Sequence, residues 1–222
     1  MRILTRQLGI VCLVGALHAP GAWAQQQLLP QLQTASDVVE PGTWVRYTLF
    51  NRKTYEVSSV RIVALEREDK GQWMEIDLTD QRRNTTVFKA LVEGSLAQPK
   101  KVLRTVVQPP GHQPIELPPK QAKVQLPKLG PKLDSKARIV SRGKVKVAAG
   151  TFTATRYRSK DQSGRVTEIW SSDDVQGWPM IKAATPHALL ELTGHGTGGR
   201  SKIRGKPAQL DPDLLKKLDL TR

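Results

Sequence analysis

Cysteine is almost missing from this chain of 222 residues; the one present, Cys12, lies in an apolar leader. A chain with no thiol beyond that point builds no disulfides, which excludes the small stapled folds common among secreted proteins. Histidine is nearly as scarce. His112, His187 and His195 follow the leader, and none stands at ligand spacing from another. With no H-E-x-x-H and no Cys/His cluster, a tetrahedral zinc site is not expected. No G-x-S-x-G elbow surrounds any serine, so a hydrolase triad has no support. Beyond the leader no apolar run is long enough for a membrane helix. These absences lead to the expectation of a non-enzymatic domain without cofactor or metal.

The leader, residues 1–24, reads as a cleavable secretory signal peptide. Arg2 and Arg6 make a positive start, residues 8–17 are apolar, and Ala22-Trp23-Ala24 is an A-x-A cleavage site. Val11 before Cys12, and the short apolar lead, do not fit a lipoprotein signal. An exported chain without thiols suits the bacterial periplasm. Residues 25–40 are polar and read as a flexible mature N-terminus. Residues 41–196 form one antiparallel β domain, with a basic tail at 197–222.

Acidic residues are the other shortage, 20 against 35 lysines and arginines. Without Arg2 and Arg6 the formal charge falls from +15 to +13, unevenly spread. Residues 25–98 carry 9 basic and 10 acidic side chains, residues 99–146 carry 12 and 2, and residues 147–222 carry 12 and 8. A charge asymmetry of this kind speaks of partners and not of fold.

What is present is strand. Residues 43–50 place Val45, Tyr47 and Leu49 on one face, and residues 55–65 form a second, longer strand. Residues 66–71 read as a charged hairpin loop. In residues 73–78, Met74, Ile76 and Leu78 alternate with Trp73, Glu75 and Asp77, which predicts a sheet with one wet face. Residues 85–92 fit a strand or a short helix, and residues 102–107 another strand. Two hairpins occupy residues 144–180, with turns at Ala148-Ala149-Gly150 and Lys160 to Gly164. Residues 179–183 and 188–193 are two final strands. The run Gly194 to Gly199 ends the ordered domain as a flexible linker, since it lacks the Gly-Lys-Ser/Thr ending of a phosphate loop. Asp173-Asp174 reads as turn residues, and Pro212 opens a short helix over residues 214–218.

Residues 108–137 break the pattern. Seven prolines sit among Lys120, Lys123, Lys128, Lys132 and Lys136, so a central strand is excluded there. This arm is either a solvated loop or a contact for an anionic partner: a phosphorylated lipid head group, an acidic polysaccharide or an acidic protein. Export argues against nucleic acid, and no aromatics interleave with the lysines. Trp44, Trp73, Phe152, Trp170 and Trp178 either pack the sheet or line an apolar hollow on its concave side.

Val147 to Ala154, V-A-A-G-T-F-T-A, and Ile169 to Val175, I-W-S-S-D-D-V, carry a resemblance. The chain resembles uncharacterised bacterial periplasmic domains related to the lipoprotein-localisation (LolA/LolB-like) superfamily. That resemblance implies an incomplete antiparallel barrel around an apolar cavity for acyl chains, and no catalytic residues. The helices that plug such half-barrels are not evident here, and the Pro/Lys-rich arm is extra. The expected function is a periplasmic binding or carrier protein for a lipid, lipoprotein or other apolar ligand at an anionic envelope surface. The alternative is an envelope assembly module that recruits a protein partner through the arm.

Overall fold

A computed structural model describes residues 39–96, 99–117 and 137–209. The signal peptide, most of the mature N-terminus, the five arm lysines and the short C-terminal helix lie outside the described residues.

The sheet is built by β1 (Trp44–Asn51), β2 (Val57–Glu68), β3 (Gly71–Thr79), β4 (Thr85–Gly94), β5 (Pro99–Gln108) and β6 (Ile115–Leu117). It continues with β7 (Arg138–Val147), β8 (Gly150–Lys160), β9 (Val166–Ser171), β10 (Met180–Ala184), β11 (Ala188–Gly196) and β12 (Ala208–Gln209). All belong to one open sheet in the order β12-β6-β5-β4-β3-β2-β1-β11-β10-β9-β8-β7. Every pairing is antiparallel except β12 with β6. The expected mainly-β architecture, an open antiparallel sheet not closed into a barrel, is therefore what forms. No helix occurs among the described residues.

The alternation read in β1 is real: Val45, Tyr47 and Leu49 are buried on one face. That face carries a continuous apolar cluster reaching from Leu117 in β6 through Ile62, Ile76 and Phe88 to Phe152 and Ile169 in β8 and β9. A flat sheet this wide cannot bring those side chains into one cluster, so the sheet bends around it. Trp178 sits fully buried within the cluster, and Tyr47 donates its hydroxyl to the Met180 carbonyl at 2.9 Å. The turn between β7 and β8 folds back onto β11, where the Ala149 amide donates to the Leu192 carbonyl at 3.1 Å.

Three expectations change and one alternative is resolved. The charged segment at 66–71 is mostly strand, because β2 runs through Glu68 and only Asp69-Lys70 turns. Of the two readings of residues 85–92 the strand is the one that forms, held between β3 and β5 along its length. Within the proline-rich stretch, Ile115–Leu117 pairs with β5, since Pro114 stands just outside it and no ladder donor is lost. Most consequential, the second face of β3 is not wet. Glu75 and Asp77 are 0% and 1% exposed.

Candidate functional site: a strapped basic face

The reason lies far along the chain. β11 does not stop at Thr193 but continues to Gly196, where Trp44 of β1 pairs with it. The glycines there are a floor for the indole and not a linker. A Cβ at Gly194 or Gly196 would come within 3.3 Å of the Trp44 ring. At Gly199 it would lie 2.9 Å from Val63 Cγ1, closer than real Cβ atoms come, and a tight 3.0 Å from the Gly42 carbonyl oxygen. Trp44 Nε1 donates to the Thr197 carbonyl at 3.2 Å, and the Gly199 amide to the Gly42 carbonyl at 2.8 Å.

From there the chain crosses the sheet as a strap and ends in β12 beside β6. The steps from Gly196 to Ala208 can reach about 40 Å when extended. The strands between β11 and β12 stack to about 34 Å. The strap therefore has little slack, and its polar groups find partners on the strands beneath it.

They find Arg61 of β2 and Glu75 and Asp77 of β3. Ser201 Oγ donates to Glu75 Oε2, the Lys202 amide donates to Glu75 Oε1 at 2.8 Å, and Lys202 Nζ lies 2.9 Å from Asp77 Oδ2. Arg61 Nη1 donates to the same Asp77 oxygen at 3.1 Å, while Nη2 donates to the Arg200 carbonyl at 3.2 Å. Burial pushes the Glu75 carboxyl above its ordinary value, and the Ser201 and Lys202 hydrogen bonds work against that push. Asp77 Oδ1 is buried without a hydrogen-bond partner. The two carboxylates are thus engaged in fastening the strap.

Beside this latch a small apolar cluster of Val63, Leu65, Trp73 and Leu91 packs with Trp44 and Leu103. Cations stack on both indoles: Arg46 lies 5.6 Å from the Trp44 ring centroid, and Lys89 and Arg104 lie 4.9 and 5.2 Å from that of Trp73. Trp73 Nε1 donates to Glu68 at 2.7 Å, and Arg104 pairs with Glu116 at 2.8 Å. Among the described residues, Arg46, Lys89, Arg200, Arg204 and Lys206 form no ion pair. Of the acids on this face, Glu75, Asp77 and Glu116 are taken up by Arg61, Lys202 and Arg104 while Glu68 accepts from the Trp73 indole, so the cations outnumber the acids.

The five aromatic candidates do not share one wall. Trp44 and Trp73 belong to the strapped face, whereas Phe152 and Trp178 are buried in the main cluster. Trp170 is half-buried on β9 between Arg156, at 5.1 Å, and Lys182, at 5.7 Å. The latch residues Arg61, Glu75, Asp77, Ser201 and Lys202 were not singled out from the sequence. Asp173-Asp174 occupies a turn, as expected, with Asp174 Oδ2 accepting from Ser172. His195 stacks edge-on against Phe152 at 5.6 Å. No cluster of histidine and carboxylate suited to a metal occurs among the described residues.

No family model and no curated protein matches this chain. Among solved structures, a protein described as exported, with a YmcC-like fold, from Bacteroides fragilis aligns at 8% identity over 77% of this chain and 99% of its own, with a TM-score of 0.40. A hypothetical protein from Chlamydia trachomatis aligns at 12% identity over 76% and 94%, with a TM-score of 0.44. MucB aligns at 16% identity over 78% of this chain and 60% of its own, with a TM-score of 0.45, and it has also been solved in complex with MucA. These values are too low to carry a function across. A relationship to the lipoprotein-localisation proteins is not shown by them.

Proposed function

We propose that this chain is a non-enzymatic binding protein of the bacterial envelope, exported to the periplasm and seated on an anionic surface through its strapped face. One observation carries the reading. The strap brings Arg200, Arg204 and Lys206 onto the face that holds Arg46 and Lys89, and among the described residues none of these five cations forms an ion pair. Each lysine or arginine held near an anionic lipid surface contributes about 1 kcal/mol, so a handful acting together suffices for reversible attachment. The non-enzymatic part is supported by the buried carboxylates Glu75 and Asp77 being committed to Arg61, Ser201 and Lys202.

Sedimentation with vesicles tests this. The protein should pellet with vesicles rich in phosphatidylglycerol and stay free of phosphatidylcholine vesicles, and about 0.5 M salt should release it. Replacing Arg200, Arg204 and Lys206 together by glutamine should abolish pelleting without shifting the thermal midpoint. Equal binding to neutral vesicles would sink the idea.

A second reading adds an apolar cargo, a lipid or lipidated protein, on the opposite face. It is favoured by the unbroken apolar wall from Leu117 to Ile169. Those side chains are already out of water without a ligand, so loading requires that their cover move. Native mass spectrometry of protein taken from the periplasm should then show a lipid adduct, and its consistent absence would remove this reading.

A further inference from the structure

The two margins of the sheet are built differently, and one is open. At one end stands β12, two residues long, laid down by the strap directly after Pro207. Short edge strands and nearby proline are ordinary ways of keeping a sheet from pairing with other chains. At the other end stands β7, ten residues long and exposed over nearly its whole length. Among the described residues its one neighbour in the sheet is β8.

The register tells which backbone groups of β7 are free. Val147 pairs with Gly150 across a two-residue turn, and the pairs then run Lys146 with Thr151, Val145 with Phe152, Lys144 with Thr153, Gly143 with Ala154 and Arg142 with Thr155. In an antiparallel hairpin the residues flanking a two-residue turn exchange both hydrogen bonds, and the bonded and non-bonded pairs alternate from there. Val147, Val145 and Gly143 therefore bond to β8. Arg142, Lys144 and Lys146 point their amides and carbonyls outward. The same residues carry the cationic side chains, and among the described residues none of them, nor Arg138, forms an ion pair. At the start of the strand Ile139 and Val140 are 54% and 42% exposed.

The bland account is that the cations merely guard a bare edge. Guarding does not explain two large apolar side chains left in water on the same strand, nor an outward ladder that runs unbroken from Arg142 to Lys146 beyond the bulge at Val140. A second copy of the chain is a poor occupant. Antiparallel self-pairing centred on Lys144 would set Lys144 against itself and Arg142 against Lys146, and like charges directly opposite are destabilising.

We propose that β7 is a docking margin for an extended acidic segment of a partner protein, which adds to the sheet as a further antiparallel or parallel strand. Main-chain hydrogen bonds to Arg142, Lys144 and Lys146 supply the affinity, and carboxylates on alternate residues of the guest meet the cationic face. This site lies on a different element from the strapped face, so it stands or falls separately from attachment to an anionic surface.

The probe is a fluorescein-labelled synthetic peptide alternating glutamate with valine, compared with a counterpart carrying lysine for glutamate, titrated into the full mature protein. The acidic peptide should bind saturably, and the lysine peptide at least about tenfold more weakly. Lys144→Pro removes one outward amide while leaving the bonds to β8 intact, which an edge strand tolerates. It should weaken the acidic peptide about tenfold or more with an unchanged unfolding midpoint. Should that variant fail to fold, the triple change Arg142→Glu, Lys144→Glu and Lys146→Glu keeps the backbone and should reverse the preference toward the lysine peptide. Equal affinity for both peptides, or binding by Lys144→Pro as tight as by the unaltered protein, overturns the proposal. So does the absence of saturable binding up to about 1 mM. A concentration-dependent dimer abolished by Lys144→Pro would overturn it in favour of a second copy as the occupant.

Discussion

The two faces of this sheet are closed by opposite means. On one, Tyr47, Phe88, Phe152 and Trp178 meet one another in a single apolar cluster, where burial itself is the driving force. On the other, the apolar cluster has four buried side chains, Val63, Leu65, Trp73 and Leu91, and closure depends on Arg61, Glu75 and Asp77 being matched by groups on the strap. An apolar cluster loses stability in proportion to the atoms removed. A charged latch fails as a unit, because taking away one member strands the others without water.

The sharpest way to measure that difference is to damage each face once. Trp178→Ala should cost about 3–5 kcal/mol, the usual result of emptying a fully buried aromatic site, read as a lower urea midpoint. Asp77→Ala should cost about 2–3 kcal/mol, below the full value for a buried pair because Arg61 keeps some access to water. Its signature is distinct: hydrogen exchange should accelerate along the strap residues 199–204 and the facing strand β3, while the amides of β8 and β9 stay protected. Uniform loss of protection across the sheet in Asp77→Ala would mean that the two faces are not separable.

The smallest effect is one of pH, and it compares two carboxylates. Burial pushes the Glu168 carboxyl up, but hydrogen bonds from Arg156 and Arg158 together outweigh this and hold it below its ordinary 4.5. Its native form binds a proton less readily than the unfolded chain. The stabilisation it contributes is present above the unfolded value and lost as pH falls through the native one. Glu75 is displaced the other way, by burial first. As pH falls through its raised native value toward 4.5, the penalty of burying its charge is relieved and the native state gains. Urea midpoints followed from about pH 7 to about pH 3 should lose part of their acid decline in Glu168→Gln. In Glu75→Gln the decline should steepen, and a change of the reverse sign in either variant would contradict the assignment.

Alternation along a strand reports local neighbours, which explains what the sequence made visible. Val45, Tyr47 and Leu49 show their face because each is buried by its own periodicity. Both hairpins of residues 144–180 are legible because Gly150 and Gly164 mark turns a few residues from the strands they join. Glu75 and Asp77 carry the same signature as solvent-facing carboxylates, since their cover lies 126 positions away at Ser201. The glycines at 194–199 read as a break because their partner, the Trp44 indole, is equally remote in sequence. A hint was available: Arg61 stands directly across from Asp77 once β2 and β3 are paired, and a basic segment follows the last strand. Neither fact alone implies that one lies on the other. The spread of the five aromatic candidates over separate surfaces was likewise beyond periodicity, which assigns a residue to a side of its strand but not to a wall shared with others.

The strap also sets an order of events. In a chain that emerges N-terminus first, β2 and β3 appear long before residues 199–204. Until those follow, Arg61, Glu75 and Asp77 are hydrated like any surface charges, and this face of β2 and β3 stays open. The fastener is sewn on last, so a nascent fragment lacking it keeps this one face pliable while the apolar cluster on the other side, which uses no residue of the strap, is already able to close.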